Sequence, residues 1–169
     1  MESVTVQRPF VIVGVMGGHE ADAMILEEAR QVGEAVAQRG YALLTGGGPG
    51  VMRAASEGAF RAGGLVIGIL PNDRRRPLAG YPNEFVNIPI YTGIADARNV
   101  INAKTPEVLI ALGGGAGTLS EIAHALKAGT PVIGLNAPAF ALAGEQPFFA
   151  ARSVAEVLAE LDRILSGRS

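Results

Sequence analysis

Glu121 closes a run, Glu107 to Glu121, that reads EVLIALGGGAGTLSE. An apolar stretch, Val108 to Leu112, leads into Gly113, Gly114 and Gly115; after Ala116 and Gly117, the pattern Thr118-x-x-Glu121 opens a helix. A buried strand, a turn without side chains and a helix N-terminus together present backbone N–H groups, the means by which α/β proteins hold phosphate. The chemistry on offer is therefore binding of a phosphate-bearing ligand, with a carboxyl group one helical turn away, placed to flank a ribose. Arg98, in Ile94-Ala-Asp-Ala-Arg-Asn99, lies one crossover earlier and carries a guanidinium suited to phosphate or a nucleobase edge.

Each of these residues also has a plainer role. Thr118-Leu-Ser-Glu121 is a capping-box pattern, in which Glu121 reaches back to the Thr118 N–H. Taken alone, Arg98 is more often a solvated helix residue, or one paired with Asp96 or Glu107. Position argues for the site: two more glycine turns follow apolar runs, Gly17-Gly18 after Phe10–Met16 and Gly46-Gly47-Gly48-Pro49-Gly50 after Tyr41–Thr45. Tight turns need glycine whatever the function, but three on one rim of a sheet point to a ligand site.

The elements that must position these residues alternate. Strands are expected at 10–16, 41–45, 65–70, 85–91, 107–112 and 131–135. Helices are expected at 21–39, 51–62, 94–103, 118–127 and 153–165. The first helix has an apolar stripe of Ile25, Ala29, Val32 and Val36, widened by Leu26, and Gly40 caps its end. This alternation predicts one α/β domain over 1–169, a doubly wound, mainly parallel sheet of Rossmann-like type. The three glycine turns then gather where the strands' carboxyl ends point.

Other chemistries are disfavoured. Gly113-x-Gly115 needs Gly or Ala at 118 to make the dinucleotide fingerprint and has Thr118; Gly46-x-Gly48 meets Val51. No Gly-Lys pair exists for an ATP-hydrolysing loop. His19-Glu20 lacks a second histidine at 23, and Glu121-x-x-His124 is half of a di-iron pattern, so no metal and no cofactor are called for. Lys104 and Lys127 sit in no Schiff-base motif. Of the two histidines, His124 is the one expected to touch the site. Arg74-Arg75-Arg76, in a polar loop, could close over an anion, although such runs are usually solvated surface.

Hydrophobic residues make up 49% and charged residues 18% of the 169, a composition that makes a compact core rather than a disordered chain. The net charge of −2 argues against a broad nucleic-acid-binding face. No cysteine is present, which excludes disulfides and thiolate chemistry. Met1–Pro9 lacks the apolar core of a signal peptide, and no apolar run approaches the roughly 18 residues of a membrane span. A cytoplasmic location without membrane contact is the expectation.

Thr45-Gly-Gly-Gly-Pro-Gly-Val-Met52 followed by Gly113-Gly-Gly-Ala-Gly-Thr-Leu-Ser-Glu121 resembles the LOG (lonely guy) family, over about Val11 to Leu135. Members were earlier taken for lysine decarboxylases; those characterised are nucleoside 5′-monophosphate phosphoribohydrolases. The resemblance implies Arg98 and Glu121 as catalytic residues. The three glycine turns are expected to bind phosphate through Gly17, Gly18, Gly46, Gly47, Gly48, Gly50, Gly113, Gly114, Gly115, Gly117 and Thr118. The resemblance also implies a homodimer or homotetramer with the site near a subunit interface, to which the apolar stretch Pro138–Leu142 could contribute.

This sequence departs from the enzymes where they carry Pro-Gly-Gly and Met-His-Glu-Arg-Lys. Gly113 replaces the proline, Asn99 the lysine, and Asp96-Ala97 the His-Glu pair. Gly68-Ile-Leu-Pro71, Thr92-Gly93 and Ala97-Arg-Asn-Val100 are similar instead to a short bacterial and algal branch that includes molybdenum cofactor carrier proteins. Two activities stay open: hydrolysis of the N-glycosidic bond of a nucleoside monophosphate, or carriage of a nucleotide or molybdopterin-like ligand without turnover.

Overall fold

The structure, a computed structural model, describes residues 10–139, 144 and 146–167. Seven strands form one sheet: β1 (Ile12–Gly17), β2 (Ala42–Thr45), β3 (Val66–Leu70), β4 (Ile88–Tyr91), β5 (Val108–Leu112), β6 (Val132–Leu135) and β7 (Phe148–Ala151). Their order is β4-β3-β2-β1-β5-β6-β7, and every neighbouring pair is parallel. Five helices connect them: α1 (Ala23–Gln38), α2 (Val51–Arg61), α3 (Asn99–Lys104), α4 (Ala116–Ala128) and α5 (Val154–Ser166). This is the expected doubly wound α/β architecture.

Strand β5 shows why its sequence is apolar throughout. Val108, Ile110 and Leu112 face one core with α1, α2 and α5, while Leu109 and Ala111 face a second core with α3 and α4. A strand covered on both faces cannot alternate with polar residues. All five of its residues are fully buried.

Helices α1 and α2 touch backbone to backbone. A Cβ on Gly33 would lie 2.0 Å from the Ala55 carbonyl oxygen, so no side chain fits there. Gly33→Ala must push α2 away, and is expected to cost about 2 kcal/mol of stability in urea unfolding. An unchanged urea midpoint would show that the helices can part freely.

Four expectations are corrected. The helix expected over 94–103 is a single 3₁₀ turn, Ala95–Arg98, followed by α3; positive φ at Gly93 and Ala95 keeps an α-helix from starting at Ile94. Strand β4 begins at Ile88 rather than 85. Strand β7 was not expected: Phe148-Phe-Ala-Ala151 has no β-branched residue, and pairing with β6 decides its conformation. Helix α4 begins at Ala116 with Gly115 as its N-cap, so Thr118 is the third helical residue and no capping box forms. Of the apolar stretch 138–142, residues 140–142 lie outside those described. Among the described residues, no helix is long and apolar enough to cross a membrane.

Candidate functional site

The strand order reverses between β1 and β5, and there the carboxyl ends of neighbouring strands send their chains to opposite faces. Gly17 pairs in register with Leu112, so the turn at Gly17-Gly18 lies directly beside the turn at 113–115. A cleft of about 760 Å³ opens at this point, within the size range of small-molecule sites. Gly17, Gly18, Gly115, Gly117, Thr118, Arg98 and Glu121 line it, brought together from three separated stretches of chain.

The α4 end of the cleft is built from amides. Leu119 is the first residue of α4 whose N–H bonds back within the helix, to the Gly115 carbonyl at 2.9 Å. The N–H groups of Ala116, Gly117 and Thr118 therefore precede the hydrogen-bonded ladder and carry the positive end of the helix dipole. A Cβ on Gly115 or on Gly117 would meet nothing within 4 Å, and neither residue has positive φ. Packing does not require glycine at either position. The absence of side chains keeps the helix end open to the cleft.

The turn 46–50 differs. Its groups are already engaged: Asn83 N–H donates to the Gly47 carbonyl at 2.7 Å, and Asn83 Nδ2 to the Gly48 carbonyl at 3.0 Å. Gly47 N–H donates to Thr45 Oγ1 at 3.0 Å, and a Cβ on Gly48 would lie 2.3 Å from the Tyr81 ring. Gly46, Gly47, Gly48 and Gly50 do not line the cleft, nor do Gly113 and Gly114. The second glycine turn braces the wall behind the site.

Arg98 is 7% exposed, so it is not solvated, and among the described residues it forms no ion pair with Asp96 or Glu107. Its Nη1 donates to the carbonyls of Gly46 and Ile69, tying β2 and β3 to the 3₁₀ turn. The guanidinium lies 5.3 Å from the centre of the Tyr81 ring, within cation–π range. Its Nε is buried without a partner among the described residues. Arg98→Met strands the Gly46 and Ile69 carbonyls without their donor and is expected to cost about 2 kcal/mol of stability. Thermal unfolding that matches the parent would contradict this bracing role.

Glu121, on the second turn of α4, is 7% exposed and accepts a hydrogen bond from Asn102 Nδ2 at 3.0 Å. Burial pushes its carboxyl up to about 7, against the opposing pull of the Asn102 hydrogen bond and the Arg98 charge. Near neutrality it therefore exists as both acid and carboxylate. Such a group can give or take a proton at the pH where the protein works.

Met52, Pro71, Leu78 and Tyr81 supply an apolar wall, and His19, Asp96, Asn99 and Ser120 add polar groups. His19 lines the cleft, and His124, the histidine expected there, does not. Sequence pattern had flagged neither Tyr81 nor Asn102; the i, i+4 spacing of Arg98 and Asn102 is the one available signal for the latter. Arg74, Arg75 and Arg76 are exposed and off the cleft, Arg74 over the Tyr91 ring at 5.7 Å and Arg76 at 3.8 Å from Asp73. Among the described residues no cluster of three or more metal-ligating side chains gathers.

Residues 10–162 match the sequence profile of the SLOG cluster4 family. The chain belongs to that family. Among solved structures, the molybdenum cofactor binding protein of Rippkaea orientalis is 39% identical with a TM-score of 0.86, over 94% of this chain and 99% of that one. The molybdenum cofactor carrier protein of Chlamydomonas reinhardtii is 36% identical with a TM-score of 0.78, over 92% and 99%. A cytokinin riboside 5′-monophosphate phosphoribohydrolase of Mycobacterium tuberculosis is 35% identical over 102 residues, 59% of this chain and 53% of that protein. This SLOG cluster4 chain is thus a LOG-like Rossmann protein near the molybdenum cofactor carrier branch.

Proposed function

We propose that the cleft binds a phosphorylated small molecule with a planar heterocycle and holds it without turnover, with molybdenum cofactor as the first ligand class. The single observation that carries this reading is the unobstructed N-terminus of α4 at Ala116–Thr118. Three amides at the positive end of a helix suit a phosphate. The ring then fits against Met52, Leu78 and Tyr81. Carriage is favoured over turnover by the likeness to the two molybdenum cofactor proteins, which runs along nearly the whole chain. It is also favoured by Arg98, whose guanidinium is engaged with backbone carbonyls.

One observation favours a second reading, hydrolysis of nucleoside 5′-monophosphates: a buried carboxyl group that titrates near 7 stands one turn from the phosphate seat. In that reaction the C1′–N bond breaks with its electron pair leaving on the base. Water adds at C1′; Glu121 as carboxylate stabilises the oxocarbenium-like ribose, takes the water's proton, and is regenerated as that proton passes to the departing base nitrogen. The products are the free base and ribose 5-phosphate.

The experiment that separates the readings incubates the protein with molybdenum cofactor and with AMP, GMP and CMP, measuring bound ligand by calorimetry and free base by chromatography. Carriage predicts saturable binding of the molybdopterin ligand and no base release above that of Glu121→Gln. Release of base by the parent that Glu121→Gln abolishes would establish the second reading instead. Absence of binding by any phosphorylated ligand would overturn both.

A further inference from the structure

Glu121 meets α3 through one side chain, and that side chain is only half satisfied. Asn102 is fully buried; its Nδ2 donates to Glu121 Oε1 at 3.0 Å, and its Oδ1 finds no partner among the described residues. A buried amide oxygen without a donor is costly, about 1–3 kcal/mol, so its presence in a packed helix contact needs a reason. An apolar residue of the same size would fill the space between α3 and α4 without that cost.

The reason lies in what an amide can do that an apolar group cannot. It carries a donor and an acceptor on one planar group, and rotation about Cβ–Cγ exchanges them. A carboxylate offers only acceptors and needs the Nδ2 side. A carboxylic acid offers an O–H donor, and the Oδ1 side, orphaned in the first arrangement, is then the partner it needs. A neighbouring contact joins the same two helices: Asn99 Nδ2, three positions before Asn102, donates to Ser120 Oγ, next to Glu121, at 3.2 Å.

We propose that Asn102 is a positioning residue for Glu121, holding the carboxyl group at the edge of the cleft in both of its protonation states by donating through Nδ2 and accepting through Oδ1. The other charged or titratable groups around this pair are Arg98 on the 3₁₀ turn, His19 after β1, Tyr81 and Asp96 on the cleft wall, and His124 on α4 itself. Arg98 acts on Glu121 through its charge and Asn102 through its hydrogen bond. The significance of this pair for ligand chemistry rests on the cleft being a ligand site; the pairing itself does not.

The test is therefore made on the protein without ligand. The Glu121 carboxyl is followed by ¹³C NMR through a pH titration, with its signal assigned from the Glu121→Gln spectrum. Asn102→Leu, which keeps the volume and removes donor and acceptor, is expected to raise the Glu121 midpoint by about one pH unit, tenfold in its ionisation equilibrium, because the bond donated to the carboxylate is stronger than the one accepted from the neutral acid. Asn102→Asp places two carboxyl groups together and is expected to raise the pair's upper midpoint further, with the two titrating as one system.

A Glu121 midpoint within about 0.3 pH units of the parent in a folded Asn102→Leu protein would overturn the proposal, because a residue that only fills space leaves that midpoint where it is. If Asn102→Leu does not fold, an unshifted midpoint in Asn102→Asp overturns it equally. A separate calorimetric titration of the parent with AMP and with molybdenum cofactor tests the ligand reading. No binding there would remove the functional reading and leave the titration result standing.

Discussion

Replacing Gly117 with aspartate is expected to leave the fold as stable as the parent and to weaken binding of phosphorylated ligands by about 100-fold or more. The two halves of that expectation come from different physics. Gly117 is exposed, its φ is not positive, and a Cβ there would meet nothing within 4 Å, so a side chain enters without strain. As the second residue of α4 it also stands where a carboxylate is favoured by the helix dipole and glycine is a poor helix former. Stability should therefore hold or rise.

The same carboxylate then occupies the cleft and presents a negative charge to an incoming phosphate. Lost amide contacts and like-charge repulsion together account for about 3 kcal/mol. Thermal unfolding and calorimetric titration on the same sample read both halves. If affinity is retained, the phosphate does not sit at α4.

Glu121→Gln is expected to stabilise the protein increasingly as pH rises from about 4.5, and fully above 7. The ordinary glutamic acid titrates near 4.5 and the folded Glu121 near 7. Between these values the folded protein keeps a proton that the unfolded chain has released, so stability falls as pH rises through that window. Above pH 7 the full penalty stands, about 3 kcal/mol for the buried carboxylate. Glutamine has no charge to bury. At pH 4 the variant and the parent should unfold at nearly the same temperature; at pH 8.5 the variant should unfold roughly 8 °C higher. An equal gap at both pH values would mean that Glu121 is not held near 7.

How much of this the sequence discloses depends on where each residue's partners lie. The β5 strand and its glycine turn are legible because a strand buried on both faces must be apolar, and an open helix end must lack side chains. The same local logic misplaces the start of α4. Thr118-x-x-Glu121 fits a capping box, yet the helix starts two residues earlier and turns Glu121 inward to Asn102, a residue of another helix. Arg98 is recognisable as important but not as buried, since it is held by backbone carbonyls at 46 and 69, which any residue type supplies. Glycine content alone does not separate the turn that faces the cleft at 115–117 from the one that braces it at 46–50. The difference lies in whether Asn83, Thr45 and Tyr81 already occupy the turn's groups and space.

The phosphate seat at α4 is tested most directly by titrating ¹⁵N-labelled protein with AMP and with adenosine while following backbone amide resonances. The predicted result is saturable movement of the Ala116, Gly117 and Thr118 amides with AMP, little movement with adenosine, and Gly47 and Gly48 nearly still. Equal responses to AMP and adenosine, or a response centred on Arg74–Arg76 with the three amides unmoved, would contradict it.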